Sequence, residues 1–226
     1  MKLSFNLLKD EVQHISVDIT TCIVAGWAGR DRAAIEHHIE ELADLGVPRP
    51  SAVPLFYRVA SNQLTQEAEV EVVGDGSSGE AEVFLFSYEG ETLVSLASDH
   101  TDRKLETHSV ALSKQLCVKP VAHDAWAFAD VADYWDELVL RSWIEENGQT
   151  VLYQEGTLAS LLHPLELVKN HFGQELIPES SGMTCGTMGA IGGIRPSPSF
   201  TMELFDPRRK RNINHKYTIK ILPEIA

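Results

Sequence analysis

Only two stretches of the sequence carry the periodicity of an α-helix, and this scarcity constrains the fold more than any other feature. Residues 31–46 place apolar side chains on one helical face, with Asp31 as the predicted N-cap and Gly46 as the predicted end. A second helix is predicted within residues 157–173, with an interruption near Pro164. Because strand-like segments do not alternate regularly with helices, the pattern argues against a parallel α/β sheet and favours an α+β, β-rich fold.

Most of the remaining chain consists of apolar or β-branched segments separated by polar turns, which predicts strands. The last two strands flank the basic run 206–211, which is therefore predicted to be a solvated hairpin turn. In the segment 134–148 the first few residues are ambiguous. The predicted strands cover residues 2–8, 12–19, 20–28, 68–73, 79–86, 91–100, 134–148, 149–156, 199–205 and 215–223.

Composition and charge narrow the classes of function. A net charge of −14 over 226 residues leaves no basic footprint for nucleic acid, so no nucleic-acid partner is expected. No run of about 18 apolar residues is present, so no membrane-spanning helix is expected. Cys22, Cys117 and Cys185 form neither a C-x-x-C pair nor a disulfide-like set, and the N-terminus has no secretory signal. These features predict a cytoplasmic protein.

The predicted strand at residues 79–86, GEAEVFLF, raises an electrostatic problem. Strand alternation places Glu80, Glu82, Phe84 and Phe86 on one face, with the two glutamates about 7 Å apart at the backbone. Like charges held this close repel each other, and burial increases the cost. Either this face is solvated, which is usual for such a pair, or the carboxylates bind a hard divalent cation such as Mg²⁺, Mn²⁺ or Ca²⁺.

A third oxygen ligand would complete a site of this kind. Asp99 stands at the end of the strand 91–100, where side chains converge on sites, so it is the first candidate. Asp102 competes with it, and His100 would suit softer metals. The alternative for Asp99 is a turn or cap residue.

The helix 31–46 offers a candidate base. His38 and Glu41, spaced i, i+3, lie together at the edge of the apolar face, whereas His37 and Glu40 point away from it. A carboxylate bonded to one imidazole nitrogen orients the ring and makes the other nitrogen a stronger base. The alternative is an ordinary boundary histidine in a helix ion pair.

A glycine-rich segment at residues 185–193 resembles a dinucleotide-binding loop only superficially. The strand–loop–helix context that such a loop requires is missing, and Pro196 and Pro198 follow. Its glycines instead predict a close approach of the backbone to another group.

The order and spacing of these motifs resemble the fumarylacetoacetate hydrolase superfamily over residues 20–195. The family has an N-Y-x-x-H-x-x-E-L element, a P-x-x-P-x-x-F-x-K segment, E-x-E on a strand and then N-D-x-S-A-R-D. A lysine motif follows, then Q-x-G-x-T and a T-G-T loop. The matching segments here are HIEEL at 38–42, PRPSAVPLFYR at 48–58, Glu80 with Glu82, SDHTDRK at 98–104, SKQLCVKP at 113–120, YQEGTL at 153–158 and SGMTCGT at 181–187.

The resemblance implies a fold, a site and a reaction. The fold would be a mixed β-roll with a few short helices, in one domain over residues 1–226 with a β-hairpin extension at 1–20, and the protein would be a homodimer. Mg²⁺ or Mn²⁺, with Ca²⁺ as a third candidate, would act as a Lewis acid on a small oxo acid and stabilise an enolate. The implied metal ligands are Glu80, Glu82 and Asp99; the catalytic residues are His38, Glu41 and Lys114, with Lys119 as a rival to Lys114; and the substrate contacts are Arg58, Arg103, Gln154 and Thr187.

Several positions depart from the family pattern and mark a divergent branch. Arg58 stands where a lysine is usual, Met183 replaces an aspartate before the T-G-T loop, and the tyrosine of the first element is missing. The family's substrates therefore do not carry over. The favoured function is a metal-dependent hydrolase or lyase that cleaves a C–C bond of a 2-oxo acid or 1,3-dicarbonyl compound. The alternatives are a tautomerase, isomerase or hydratase at the same site, and a non-catalytic metal-binding dimer.

Overall fold

The structure of the protein, a computed structural model, describes residues 1–44 and 49–225, except for the side chains of four residues in the first helix (38, 41, 42 and 44). Strands account for 47% of the chain and helices for 20%. The strands are β1 Lys2–Leu8, β2 Val12–Asp18, β3 Thr21–Gly26, β4 Leu55–Val59, β5 Leu64–Thr65, β6 Glu69–Val73, β7 Ser77–Ser78, β8 Ala81–Tyr88, β9 Glu91–Ser98, β10 Thr101–Asp102, β11 Lys119–Pro120, β12 Asp124–Ala127, β13 Val139–Glu146, β14 Gln149–Thr157, β15 Ser181–Thr184, β16 Ser199–Asp206 and β17 Arg211–Leu222. The α-helices are α1 Arg32–Asp44, α2 Arg103–Glu106, α3 Val110–Leu116 and α4 Pro164–Phe172, and 3₁₀ segments lie at Ser61–Gln63, Phe128–Asp130, Ala132–Glu137 and Leu158–Ser160.

The larger sheet has eight strands in the order β2-β1-β12-β9-β8-β15-β3-β4. It is mixed, because β1 pairs with β12 and β15 with β3 in parallel while the other neighbours are antiparallel. Side chains from one face of seven of these strands form a single buried cluster, so the sheet curls around them. We call this cluster the roll core; it consists of Leu3, Phe5, Leu7, Ile15, Val17, Ile19, Cys22, Val24, Val59, Leu64, Phe84, Phe86, Leu93, Ala97, Val121 and Ala125.

A second sheet covers the outer face of the roll. Its five strands run in the order β14-β13-β16-β17-β6, and only the β17–β6 pair is parallel. Val83 and Leu85 of β8 belong to the same buried cluster as Leu140 of β13 and Met202 of β16. This second core therefore fills the space between the two sheets.

The structure confirms the β-rich fold and the alternation predicted for residues 79–86. Phe84 and Phe86 lie in the roll core, whereas Val83 and Leu85 lie in the second core. Phe86 stacks on Phe5 with ring centroids 4.3 Å apart. The predicted terminal hairpin is also confirmed, with β16 and β17 joined by the basic turn.

Helix α1 begins where its N-cap was predicted. The Oδ1 atom of Asp31 accepts hydrogen bonds from the backbone N–H groups of Ala33 and Ala34, at 2.9 and 3.1 Å. Ile39 is buried, and His37 and Glu40 are exposed, as the periodicity predicts. The predicted end at Gly46 lies outside the described residues.

Three local predictions are wrong or incomplete. The segment 103–116, for which no helix was predicted, contains α2 and α3, which are four and seven residues long and therefore too short for a periodic signal. Residues 132–137 form a 3₁₀ segment, so the strand predicted from 134 begins at Val139. Only residues 164–172 of the second predicted helix are α-helical, because Pro164 starts the helix at a position where it needs no N–H partner. No described helix is long and apolar enough to cross a membrane.

Candidate metal centre

Three carboxylates converge at one end of the roll. Glu82 lies opposite Ala97 in the antiparallel β8–β9 pair, so Asp99, two residues beyond Ala97, projects from the same face as Glu80 and Glu82. The backbone N–H of Asp99 donates to the carbonyl of Glu80 at 2.9 Å, which extends the pairing past both strand ends. Within the described residues this is the one cluster of three or more potential metal ligands, and its oxygens lie within 4.8 Å of one another.

Burial rules out the two ordinary explanations for these residues. The side chain of Glu80 is 16% exposed, whereas Glu82 and Asp99 are 2% and 0% exposed. The glutamate pair is therefore not a solvated face, and Asp99 is neither a turn residue nor a cap. Three buried like charges require a compensating positive charge.

Two lysines compensate Asp99. Lys114 of α3 forms an ion pair with Asp99, and its Nζ lies 3.9 Å from Glu80. Lys119 of β11 is fully buried; its Nζ lies 3.1 Å from the Oδ1 atom of Asp99 and donates to the carbonyl of His100 at 2.5 Å. Burial alone would raise the pKa of Asp99, but the two lysines lower that pKa to about 2. Burial alone would lower the pKa of Lys114, but the carboxylates of Asp99, Glu80 and Glu82 raise it, so Lys114 remains positively charged at neutral pH.

Glu82 behaves in the opposite way. Burial, together with the charge of Asp99, raises the pKa of Glu82 well above its ordinary value, and the charge of Lys114 offsets this only in part. Its Oε2 atom accepts a hydrogen bond from the backbone N–H of Gly186 at 2.9 Å. Compared with a solvated glutamate, Glu82 is therefore harder to ionise.

The glycine-rich loop makes the close backbone approach that the sequence predicts. Gly186 has a φ of +88°, in the left-handed region that favours glycine. A Cβ atom at this position would lie 2.7 Å from the Cβ of Ala28. The position therefore needs glycine in order to bring its N–H to Glu82.

The residues expected around the substrate fall into two groups. Arg103 lies beside the triad, where it contacts Glu80 at 3.1 Å, Glu106 at 2.9 Å and Ser78 at 2.8 Å. Arg58, in contrast, donates to the carbonyl of Thr20 at 3.1 Å, and strand alternation directs it away from the face of the roll core. Their role as substrate contacts stays a prediction.

Gln154 and Thr187 hold the strand that carries Glu82. The Oε1 atom of Gln154 accepts from the backbone N–H of Ala81 at 3.0 Å and from Ser142 at 2.7 Å, while its Nε2 donates to Thr187 and to the carbonyl of Met188. Thr187 in turn donates to the carbonyl of Ala81 at 2.8 Å. All polar atoms of Gln154 are thus used within the protein, and binding of substrate by either residue stays a prediction.

The two residues considered as rival ligands point elsewhere. Both ring nitrogens of His100 are hydrogen-bonded, Nδ1 to the hydroxyl of Tyr217 and Nε2 to that of Ser77, each at 2.9 Å. Asp102 accepts from the backbone N–H of Leu105 at 2.8 Å and caps α2. Neither residue belongs to the carboxylate cluster, so the geometry favours Asp99 as the third ligand.

The remaining site predictions concern α1 and the cysteines. The side chains of His38 and Glu41 lie outside the described residues, so their predicted pairing is not visible. Cys185 is 3% exposed, and burial next to Glu82 raises the pKa of its thiol well above the ordinary value. A neutral buried thiol fits the interpretation of Cys185 as a packing residue near the site.

The donor set fits a hard divalent cation. All three candidate ligands offer carboxylate oxygens, which Mg²⁺, Mn²⁺ and Ca²⁺ prefer. The Oδ1 atom of Asp99 is buried and, although Lys119 is near, accepts no hydrogen bond of good geometry from the described residues. Burial, together with the charge of Asp99, raises the pKa of Glu82, and a bound cation would lower the cost of ionising this residue. The cluster could therefore hold a divalent metal ion.

Several solved structures have the same fold as this chain. A 2-keto-3-deoxy-D-arabinonate dehydratase complexed with magnesium and 2,5-dioxopentanoate aligns with a TM-score of 0.66 at 12% identity, covering 96% of this chain and 79% of that one. A 4-oxalocrotonate decarboxylase from Pseudomonas putida G7, complexed with calcium and acetate, aligns with a TM-score of 0.52 at 15% identity, covering 91% and 78%. The chain thus shares the fold of these enzymes, and the fold predicted from the resemblance to the fumarylacetoacetate hydrolase superfamily is confirmed.

A family model assigns the chain to a sequence family. The family described as "Protein of unknown function (DUF2848)" matches residues 25–217, and the chain belongs to this family. Comparison of the sequence with curated proteins finds no significant match.

Glu82→Gln tests whether the triad is a metal site. We expect Mg²⁺ or Mn²⁺ at a hundredfold excess over its Kd to stabilise the parent protein by about 2.7 kcal/mol, and the variant to lose this gain. Melting temperature with and without metal, and calorimetric titration with Mn²⁺, measure both effects. Undiminished Mn²⁺ affinity in the variant would show that Glu82 is not a ligand.

The stability of Glu82→Gln without metal, compared with that of the parent, serves as a control. Because the pKa of Glu82 is raised in the folded protein, ionisation of Glu82 costs stability as the pH rises above the ordinary glutamate pKa of about 4.3. Glutamine cannot ionise. The metal-free variant should therefore match the parent near that pH and be the more stable of the two at neutral pH.

Proposed function

We propose that this protein is a divalent-metal-dependent enzyme that cleaves a C–C bond in a small 2-oxo acid or 1,3-dicarbonyl compound, as a hydrolase or lyase. The observation that carries the proposal is the buried triad of Glu80, Glu82 and Asp99 next to the permanently charged Lys114. The ligands of the similar structures, which are magnesium with 2,5-dioxopentanoate and calcium with acetate, support the same chemical class. The proposal includes a homodimer in the cytoplasm, with no nucleic-acid or membrane partner.

The triad would hold Mg²⁺ or Mn²⁺, with Ca²⁺ as a further candidate. Such an ion, when bound, would supply a Lewis acid for the carboxylate and carbonyl oxygens of an oxo acid. The protein's own contribution is a rigid set of hard ligands: Gly186 fixes Glu82, Arg103 fixes Glu80, and the two lysines fix Asp99. Ligands held in this way need little reorganisation when substrate binds.

The two lysines have different roles in this proposal. Lys114 retains a small exposed area and contacts both Asp99 and Glu80, so it can place positive charge against an oxyanion that develops on the substrate. Its raised pKa keeps the proton on Lys114, which excludes it as a base at neutral pH. Lys119 is 0% exposed and serves as a structural counter-ion for Asp99.

Proton transfer is assigned to His38 with Glu41 on α1. The spacing i, i+3 allows the carboxylate to orient the imidazole, and the ring then activates water or moves a proton at carbon. Arg103 and Thr187, which are partly exposed beside the triad, are the candidate contacts for substrate oxygens, and Gln154 fixes Thr187. Arg58 would contact substrate only at a distance from the triad.

A panel of 2-oxo acids and acylpyruvates, assayed by NMR with Mg²⁺, Mn²⁺ or Ca²⁺, tests the function. We expect metal-dependent release of two fragments from at least one compound, because the triad and Lys114 together stabilise an enolate. Exchange of the protons next to the carbonyl without fragment release would replace cleavage by tautomerisation. If metal binds but no compound of the panel reacts, a non-catalytic protein is favoured.

Lys114→Met and Lys119→Met form a matched pair on one carboxylate. We expect Lys114→Met to fold and bind metal but to lose about 10²–10³-fold in kcat, the usual cost of removing a group that stabilises an oxyanion. Lys119→Met should instead lower the free energy of unfolding by about 3–5 kcal/mol, the usual cost of breaking a buried ion pair. Thermal denaturation and kcat separate the two roles, and the reverse pattern would exchange the assignments.

His38→Ala and His37→Ala test the base in the same way. Removal of a general base typically costs about 10²–10⁴-fold in rate, so His38→Ala should keep the fold and the metal but lose turnover. His37 is exposed, and a surface substitution usually changes stability by less than about 0.5 kcal/mol. The variant His37→Ala should therefore match the parent. Equal losses in both variants would contradict the assignment to His38.

A further inference from the structure

Tyr57 lies against the candidate metal centre, although the sequence motifs give it no role. It belongs to β4, where it pairs with Val24 of β3, and it packs against the roll core. The Nζ atom of Lys114, which is bonded to Asp99, lies over the Tyr57 ring at 5.7 Å from its centroid. Tyr57 is therefore linked to the triad through Lys114, which contacts both the ring and Asp99.

Gly26, the last residue of β3, and Trp27, which follows the strand, contact this ring. Gly26 leaves the space that the ring occupies, because a Cβ atom there would lie 2.9 Å from the Cε2 of Tyr57. Trp27, which follows it, has a φ of +56°, a strained conformation for a residue with a side chain. The Trp27 indole lies within hydrogen-bonding reach of Tyr57 and lowers the pKa of that phenol against the larger, opposite effect of burial. Since an indole N–H can only donate, the Tyr57 hydroxyl oxygen is the acceptor.

This arrangement leaves the hydroxyl proton of Tyr57 for another partner. No described residue accepts a hydrogen bond from this hydroxyl. Burial raises the pKa of Tyr57, so the phenol stays neutral and keeps its proton at neutral pH. The group is half-buried, positioned from one side by Trp27, and close to the positive charge of Lys114.

We infer that Tyr57, positioned by Trp27, is a specificity-determining residue that binds the tail of the substrate. Its ring packs on the carbon chain beyond the metal-chelating end, and its hydroxyl donates a hydrogen bond to an oxygen of that tail. This inference rests on the proposed function, which supplies the oxo-acid end. It adds the substrate class: a 2-oxo acid whose tail carries a hydroxyl or carbonyl oxygen. A purely apolar tail would leave the donor unpaired, and sites of this kind discriminate against analogues that lack the partner group.

Non-cleavable ligands test this inference without an activity assay. Oxalate presents the chelating end alone, N-propyloxamate adds an apolar tail, and N-(2-hydroxyethyl)oxamate adds a tail of similar size that ends in a hydroxyl. Binding of each is measured by calorimetry in excess Mg²⁺ to the parent, to Tyr57→Phe and to Tyr57→Ala. Tyr88→Ala, at the far end of β8, is the matched control.

We expect Tyr57→Phe to lower the affinity for N-(2-hydroxyethyl)oxamate about fivefold, which is the value of one neutral hydrogen bond. The affinities for oxalate and N-propyloxamate should change by less than about twofold, because neither ligand bonds to the hydroxyl. Tyr57→Ala should weaken both oxamates by about tenfold and spare oxalate. Tyr88→Ala should change none of the three. If Tyr57→Ala does not fold, the phenylalanine variant still decides the role of the hydroxyl.

Three results would overturn the inference, and they differ from one another. Equal affinity of the parent and both variants for the oxamates would show that the tail does not reach Tyr57. An equal loss of oxalate and oxamates would mean that Tyr57 acts through Lys114 and not on the tail. If oxalate fails to bind the Mg²⁺-loaded parent at all, the proposed function fails, and the tail subsite fails with it.

Discussion

The structure depends on the balance of charge around Asp99. This carboxylate is fully buried between Lys114 and Lys119, and it stands next to Glu82, whose ionisation it opposes. A buried charge is tolerated only when it is paired, so loss of a partner that no bound cation replaces leaves an uncompensated ion in a medium of low dielectric constant. The strands and short helices that carry these residues are therefore held together at this point. Each carboxylate of the triad has a fixed partner: Gly186 for Glu82, Arg103 for Glu80 and the two lysines for Asp99.

The position of the carboxylates depends on how β8 packs in the roll core. Along β8, Glu82, Phe84 and Phe86 share one face, so the strand runs from the candidate metal centre directly into the roll core. The aromatic part of the strand is buried by Phe5 and its neighbours, which fixes the register of β8. A slip by one residue would place Glu82 in the second core and Val83 at the site. Packing of the aromatic side chains thus positions the carboxylates.

The sequence predicts the parts of this site that depend on local pattern. Alternation along 79–86 places two glutamates on one face, and the strand end at Asp99 supplies the third carboxylate. What it does not predict depends on short helices and on contacts across the fold. The motif at 113–120 indicates Lys114 as a site lysine, but its contact with Asp99 is not predicted, because α3 is seven residues long and a helix of that length gives no clear periodicity. Likewise, nothing near Tyr57 in the sequence indicates that its ring faces Lys114, since that contact joins β4 to α3.

The second sheet supports the candidate metal centre through hydrogen bonds, although none of the three candidate ligands lies on it. Tyr217 of β17 donates to the hydroxyl of Ser98 at 2.8 Å and bonds to His100, the two residues that flank Asp99. The Ser98 hydroxyl in turn accepts from the backbone N–H of Glu80 at 3.2 Å. Burial lowers the pKa of His100 to about 3, so this network is neutral and adds no charge to the cluster. A neutral, fully buried network can fix the backbone of Asp99 and Glu80 without disturbing the charge balance in front of it, and this is why the C-terminal hairpin belongs to the site as much as to the second core.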